Sequence, residues 1–432
     1  MASASDATTD AGAKASVAVQ GTVVAGVVAL FFIWGSITSL NDILIPKLKG
    51  LFQLSYAEAM LVQFAFFTAY AVVSLPAGAL VARLGYGRSI ALGLAAMALG
   101  CVLFVPAAGA AAYWLFLVAL FVVAGGITIL QVAANPLIAN LGSRATSHSR
   151  LTLAQAFNSL GTTIAPRIGA TLILGSIAGV GAAGALTTAT RAREAAVIGN
   201  TYLGIAAILG LIAVAFWVWR RRFGASSPAV SLDGALALLK QPRFAMGVAA
   251  IFLYVGAEVS IGSIMVSYLM LPSKLGLAQQ AAGEHIAFYW GGAMVGRFIG
   301  SALLRMVSPG KILAAAATTA VALALVSAST TGAVAGWSLI AIGLVNSVMF
   351  PTIFSLALEG LGDRTPQGSG FLCMAIVGGA VVPVLGGLVA DAATLSVALT
   401  VPAACYALVA AFGWSARKPV VDAGVDVVGL TP

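Results

Sequence analysis

Gln131, Asn135, Gln155, Asn158 and Thr162 set four amides and a hydroxyl at three- and four-residue steps in two otherwise apolar stretches. A short basic loop, Arg144 to Arg150, separates the two. On helices, each set lines one face. An amide left unpaired in hydrocarbon costs roughly 2–7 kcal/mol. Such faces therefore look either at a neighbouring helix, as interhelical glue, or at water and a polar ligand. Clustering on two consecutive stretches, one interrupted by Pro136, favours a binding cavity. Acids are scarcer still: of 13 carboxylates, Asp42 in SLNDILIP and Glu258 in LYVGAEVSIG are the exceptions that fall within apolar stretches. A carboxylate at the centre of a membrane helix costs about 2.5–3.5 kcal/mol on insertion scales and so is paired or protonated. One whose protonation follows the access of water is a proton carrier by construction. Two plainer readings stay open. Asp42 can sit at the outer water boundary near Lys47 and Lys49, and Glu258 can be a structural acid paired with Tyr254.

Two cations share the apolar stretches. Arg167, after Pro166, is a candidate counter-ion for Asp42, the alternative being a guanidinium that snorkels or bonds a carbonyl opened by the proline. Arg297, in GGAMVGRFIG, is expected to pack structurally. Trp34, Phe66, Phe67, Tyr70, Tyr254, Tyr289, Trp290 and Phe350 lie in or beside the amide-bearing segments. Aromatic faces beside amides suit a hydroxylated ring, although any one of them taken singly is more often a core or lipid-facing residue.

The elements that hold these residues follow from composition. Of 432 residues 61% are hydrophobic, 8% are charged and 49 are glycine, too few charges to cover a soluble domain. The expectation is an all-α polytopic membrane protein with closely packed helices. Apolar segments of about 20 residues, the length that crosses a bilayer, recur at 22–46, 56–82, 89–109, 113–138, 151–177, 201–219, 244–270, 285–304, 312–332, 335–358, 368–390 and 396–415. With the N-terminus inside, fifteen of the 22 Lys and Arg fall on the cytoplasmic side and five on the other, the bias that sets membrane orientation. A nucleic-acid partner is not needed to explain the +9 charge. Cys101, Cys373 and Cys405 all lie in apolar segments, so no disulfide framework and no metal site is expected, and no cofactor. His148 and His285 read as loop or segment-end residues.

The chain also repeats itself. Pro136 is echoed by Pro351, Gly161-x4-Pro166-x2-Gly169 by Gly378-x4-Pro383-x2-Gly386, and Gly78 with Arg83 by Gly300 with Arg305, at offsets of 215 to 222 residues. The repeat sets Gln131 against Asn346. A six-plus-six parallel repeat is the signature of the major facilitator architecture, with substrate held between the halves at the midplane. The division expected is a flexible cytoplasmic tail 1–21, an N-terminal half 22–222, a linker 223–243, a C-terminal half 244–416 and a tail 417–432. Between the second and third segments, Gly78, Arg83, Gly85 and Arg88 resemble the loop signature of that superfamily. Ala82 stands where an acid is usual, and the arginines are expected on helix-end carbonyls.

Asn41-Asp42-Ile-Leu, Ala-Ala-Asn135-Pro136, Ala-Gln155-Ala-Phe-Asn158-Ser and Pro351-Thr-Ile-Phe-Ser together resemble the fucose–galactose–glucose:proton symporter family, from about Phe31 to Asp391. The resemblance implies twelve helices in two halves and alternating access. It implies proton coupling at Asp42, and sugar contacts at Gln155 and Asn158, with Asn41, Gln131, Asn135, Asn346 and Phe350 as further candidates. Gln131 stands where the fucose permeases carry a glutamate, and Phe350 where they carry a tyrosine. The pattern is closer to the glucose/galactose and N-acetylglucosamine branch. Asp42 is then the coupling carboxylate, Gln131 a permanent sugar ligand, and Glu258 either shares the proton work or binds a hydroxyl. The implied function is uptake of a monosaccharide with a proton across an inner membrane, by a monomer with both termini cytoplasmic. Sodium coupling, facilitated diffusion and L-fucose as substrate are the alternatives. An enzyme is disfavoured because no Ser/His/Asp, metal or nucleotide motif is present. A sensor would carry an appended domain, and drug efflux would prefer apolar cavity walls.

Overall fold

The computed structural model describes residues 4–54, 56–141, 143–169, 188–223 and 236–418; within these, some side chains, including those of Asn41, Asp42 and Arg167, lie outside the description. Twelve membrane-length helical segments succeed one another, with no strand among the described residues. The first six are Ala4–Phe52, Tyr56–Leu84, Tyr86–Gly109, Tyr113–Asn140, Ser147–Gly169 and Thr188–Trp219. Pro242–Met270, Gln279–Leu303 and Pro309–Ser329 are the seventh to ninth. The last three are each in two pieces: Gly332–Asn346 with Met349–Leu358, Thr365–Met374 with Gly378–Ala392, and Leu395–Ala398 with Thr400–Ser415. The far end of the expected fifth segment, 170–177, and most of the expected linker lie outside the described residues.

The first helix begins at Ala4, where a flexible tail was expected up to residue 21. Alanines at 4, 7, 11, 13 and 15 supply strong helix propensity, and no proline interrupts them. At its other end the helix passes Pro46 and runs to Phe52. That extension carries Lys47 into the protein, where it is 1% exposed and ion-paired with Glu194 of the sixth span. Lys274 is likewise buried, at 6% exposed. Its Nζ donates to the carbonyls of Ser327 (3.0 Å) and Thr330 (2.6 Å), closing the C-terminus of the ninth span. Both cations therefore hold neighbouring helices together.

The repeat is visible in the packing. In the first half the third span packs on the fourth and sixth, the second on the fourth, and the first on the fifth. Adding six gives the second half: ninth on tenth and twelfth, eighth on tenth, seventh on eleventh. The halves meet by second against eleventh, fifth against eighth, fourth against eleventh and fifth against tenth. Outward faces are apolar: Ile208, Leu211, Val214 and Val218 of the sixth span are each 60% or more exposed, a surface that requires lipid.

Ten helices are long and apolar enough to cross a membrane, among the described residues. The fifth and eighth, at 23 and 25 residues, are long enough but more polar. These two pack on each other across the seam. Their polarity is the price of lining the interior rather than facing lipid.

Close approach sets the geometry. Gly85 takes φ +79° and makes the tight turn between the second and third spans. A Cβ on Gly161 would stand 2.3 Å from the Phe32 carbonyl oxygen, so only glycine lets the fifth span lie against the first. Gly161→Val should force these helices apart, costing about 1–3 kcal/mol. A thermal-shift measurement on the purified protein checks this; an unchanged melting temperature would mean that the contact is not a constraint.

Candidate functional site

Local structure explains why polar groups converge at mid-membrane depth. A proline has no N–H, so the carbonyl four residues earlier loses its helical partner. Pro136 frees the Val132 carbonyl, and Pro351 that of Ser347. Both are used. Ser369 Oγ of the eleventh span donates to Val132 O at 2.8 Å, across the seam. Arg297 Nε of the eighth span donates to Ser347 O at 3.3 Å, where the tenth helix is interrupted after Asn346.

The first half presents one polar cluster. Gln131, 9% exposed, donates from Nε2 to the Tyr70 hydroxyl at 2.6 Å. Gln155 Nε2 reaches Asn135 Oδ1 at 3.4 Å, a long contact that leaves both amides capacity for other partners. Asn135 Nδ2 is buried with no hydrogen-bond partner. Asn158 differs: its Nδ2 donates to the Phe31 carbonyl at 2.9 Å and ties the fifth span to the first. For that donor the geometry is interhelical glue.

The second half presents the matching cluster. The Tyr254 hydroxyl lies 2.8 Å from Glu258 Oε1 and 3.0 Å from the Asn346 carbonyl. Asn346 Nδ2 donates to the Tyr289 hydroxyl at 2.8 Å. Asn346 Oδ1 is buried with no hydrogen-bond partner, and the Tyr406 hydroxyl lies beside the same amide. Gln131 and Asn346, set level by the repeat, are thus each bonded to a tyrosine hydroxyl. Phe350 is half-buried, with its ring 5.8 Å from that of Phe354. An unpaired buried polar group costs about 1–3 kcal/mol, so an orphan donor at Asn135 and an orphan acceptor at Asn346 suit a ligand that both donates and accepts.

Arg297, expected to pack structurally, instead joins the clusters. It bonds the Ser159 hydroxyl of the fifth span and approaches the Gln155 carbonyl at 3.5 Å. Its charge also acts on Glu258. The signal that could have found it is Pro351, whose missing N–H calls for a donor to Ser347. Asn41 and Asp42 lie on the first helix and Arg167 on the fifth, but their side chains are outside the described residues, so the expected Asp42–Arg167 pairing is not addressed. Arg83 and Arg88 are exposed. Among the described hydrogen bonds to carbonyls at this end are those from Arg150 to Ala139 (2.6 Å) and from Arg243 to Leu356 (3.2 Å).

Residues 24–375 match the Major Facilitator Superfamily. The chain is 51% identical over 390 residues to a glucose/galactose transporter of Brucella abortus, covering 90% of this chain and 92% of that one. It is 35% identical over 406 residues to the L-fucose-proton symporter of Escherichia coli, covering 89% and 90%. Among solved structures it resembles FucP, a major facilitator transporter crystallised in the outward conformation, with a TM-score of 0.84 at 34% identity over 93% of this chain and all of that one. The class is a multi-pass membrane transporter and not an enzyme. Twelve paired helices, two polar clusters facing one seam and these relatives agree: the chain belongs to the major facilitator superfamily, in the fucose–galactose–glucose:proton symporter family whose motifs it carries.

Proposed function

We propose that this protein imports a hexose, glucose or galactose, together with a proton by alternating access. The observation that carries the reading is the pair of opposed clusters, Gln131–Tyr70 with Asn135–Gln155 in one half and Glu258–Tyr254 with Asn346–Tyr289 in the other. Amides and hydroxyls in that number match a ring bearing several hydroxyls, each of which donates and accepts. The Brucella relative's name supports the choice of hexose.

The basic end is the cytoplasmic end, with both termini there, by the Lys and Arg bias. The halves, 22–222 and 244–416, rock about a site that both contribute to, so one chain suffices. In this cycle Asp42 takes a proton from outside, sugar binds between the halves, the cytoplasmic seam parts, and Asp42 releases its proton inwards. Asn41 and Phe350 complete the sugar contacts. In this reading Arg167 is the counter-ion candidate for Asp42. Gln131 cannot titrate, so Asp42 carries the coupling, and Glu258 either shares the proton work or binds a sugar hydroxyl.

Arg297 positions the fifth span for binding. Arg297→Gln should lower initial sugar uptake about tenfold, since it strips a charged donor from Ser159 and Ser347 and removes a cation that acts on Glu258. Arg297→Lys should lie between the two, because an ammonium cannot bond in two directions as the planar fork does. Equal rates in all three would confine Arg297 to packing.

Reconstitution in liposomes tests the function. Radiolabelled glucose, galactose, fucose and N-acetylglucosamine are supplied with and without an inward proton gradient, sodium absent. Gradient-driven accumulation of glucose or galactose is expected. Equilibration without accumulation would mean a facilitative carrier, and accumulation only with sodium would mean a different driving ion.

A further inference from the structure

The sixth and twelfth spans end alike at the basic face, in a construction that neither the sugar site nor the seam uses. Trp217 of the sixth span is 46% exposed and Trp414 of the twelfth 59%. Each follows exposed apolar residues, Val214 in one helix and Leu408 in the other, and each stands three residues before an arginine. The Arg220 guanidinium carbon lies 4.8 Å from the centroid of the Trp217 ring, and that of Arg417 lies 4.3 Å from Trp414. In both, Nη1 also donates to the carbonyl of the same tryptophan, at 2.5 and 2.6 Å. A ring face and a carbonyl thus hold each guanidinium where the apolar helix surface gives way to charge.

A neighbouring helix brings a further cation to each corner. A Cβ on Gly87 would stand 2.8 Å from Arg220 Cα, and one on Gly310 2.6 Å from Arg417 Cα. Glycine alone lets the third and ninth spans start hard against these arginines. The residues after the glycines, Arg88 and Lys311, are exposed, as are Arg221 and Lys418 after the arginines. Ser308 Oγ adds a bond to the Arg417 carbonyl at 2.9 Å. Each half therefore gathers cations beside an exposed indole: Arg88, Arg220 and Arg221 in the first, Lys311, Arg417 and Lys418 in the second. Among the described residues none of these six forms an ion pair. Like charges so gathered repel, and with no acid to offset them they attract an anion.

We propose that each corner binds the phosphate of an anionic phospholipid, one lipid to each half. The surroundings choose a lipid over a soluble phosphate. Indoles sit at the headgroup level of a bilayer, and the helix surface before each of these two is apolar, which an acyl chain covers and a free ion cannot. A guanidinium laid on a ring keeps donors at its edge, and that planar fork matches two phosphate oxygens at once. One N–H of each arginine goes to the tryptophan carbonyl, and the others have no protein partner among the described residues. An anionic headgroup is favoured over a zwitterionic one, because the latter brings its own ammonium among the cations. The third span packs on the sixth and the ninth on the twelfth, so each lipid bridges two helices of one half and none of the other.

Native mass spectrometry of the detergent-purified chain tests this, with phosphatidylglycerol titrated in parallel with phosphatidylcholine. Two phosphatidylglycerol molecules should bind more tightly than any further ones, and more tightly than phosphatidylcholine. Arg220→Gln with Arg221→Gln should leave one tight site, Arg417→Gln with Lys418→Gln likewise, and all four together none. Each cation near an anionic headgroup contributes about fivefold, so each pair should weaken its site about twenty-five-fold. Lys240→Gln with Arg364→Gln removes the same charge from the same end and should leave both tight sites. Equal affinity of the native chain for the two lipids would overturn the proposal without any variant having to fold. Loss in the Lys240 and Arg364 variant equal to that at the corners would reduce the effect to net charge and overturn it too. Displacement of the lipid by an equal concentration of inorganic phosphate would reassign the corners to a soluble anion, against the proposal. Binding is read without sugar or gradient, so it stands or falls apart from the symport reading.

Discussion

Asp42→Asn should leave sugar-for-sugar exchange near the native rate while abolishing accumulation against a gradient. For one proton per sugar, each pH unit of inward gradient supports roughly tenfold accumulation, so two units should give about a hundredfold in the native carrier and none in the variant. Asp42 is a carboxylate on the first helix, in an apolar run, and is tolerated there only if it is paired or carries a proton. Asparagine keeps the shape and some hydrogen bonding but cannot release a proton. Exchange needs only that the loaded carrier rock back and forth. Loss of exchange as well would make Asp42 a sugar ligand or a structural group. Retained accumulation would move the coupling to Glu258.

Gln131→Ala should raise the apparent Km for sugar about tenfold, or about 1.4 kcal/mol of binding, the loss of one or two neutral hydrogen bonds. Gln131 is held by the Tyr70 hydroxyl at 2.6 Å. That bond uses one of its two amide protons and leaves the other, with the carbonyl oxygen, for a ligand. Tyr70→Phe should then raise Km by less, since it loosens Gln131 without removing it. The two readings of Gln131 separate cleanly in a paired measurement of uptake and melting temperature. If it only holds helices together, alanine lowers the melting temperature and leaves Km unchanged. Gln131→Glu would place a second titratable group in the cavity and should shift the pH at which uptake is half-maximal, relative to the native protein.

Much of this organisation can be read without coordinates, for identifiable reasons. The bilayer demands long apolar segments, so hydropathy by itself marks ten of the twelve helices among the described residues. Internal repetition places equivalent prolines and amides at equivalent levels, which is why Gln131 and Asn346 could be matched before their tyrosine partners were known. Family motifs name Asp42, Asn135, Gln155 and Asn158 in one pass. Proline also marks the acceptors in advance, because each missing N–H frees a definite carbonyl.

Tertiary structure decides who answers those marks. Nothing in the sequence says that Ser369 supplies Val132, or that Arg297 supplies Ser347 while bonding Ser159 in the other half. His148 lies 207 residues from Ser355, and on its own helix it is only a polar residue near a segment end. For Lys47 and Lys274 a charge pattern records only where a residue falls along the chain and not which neighbour reaches it. Asn158 was grouped with the ligand amides by spacing, yet its amide donor goes to the Phe31 carbonyl. The physical reason is common to all of these. Periodicity and hydropathy act locally and determine which groups must be satisfied away from lipid, whereas hydrogen bonds between helices depend on the packing of two six-helix halves against each other, which chain order does not encode.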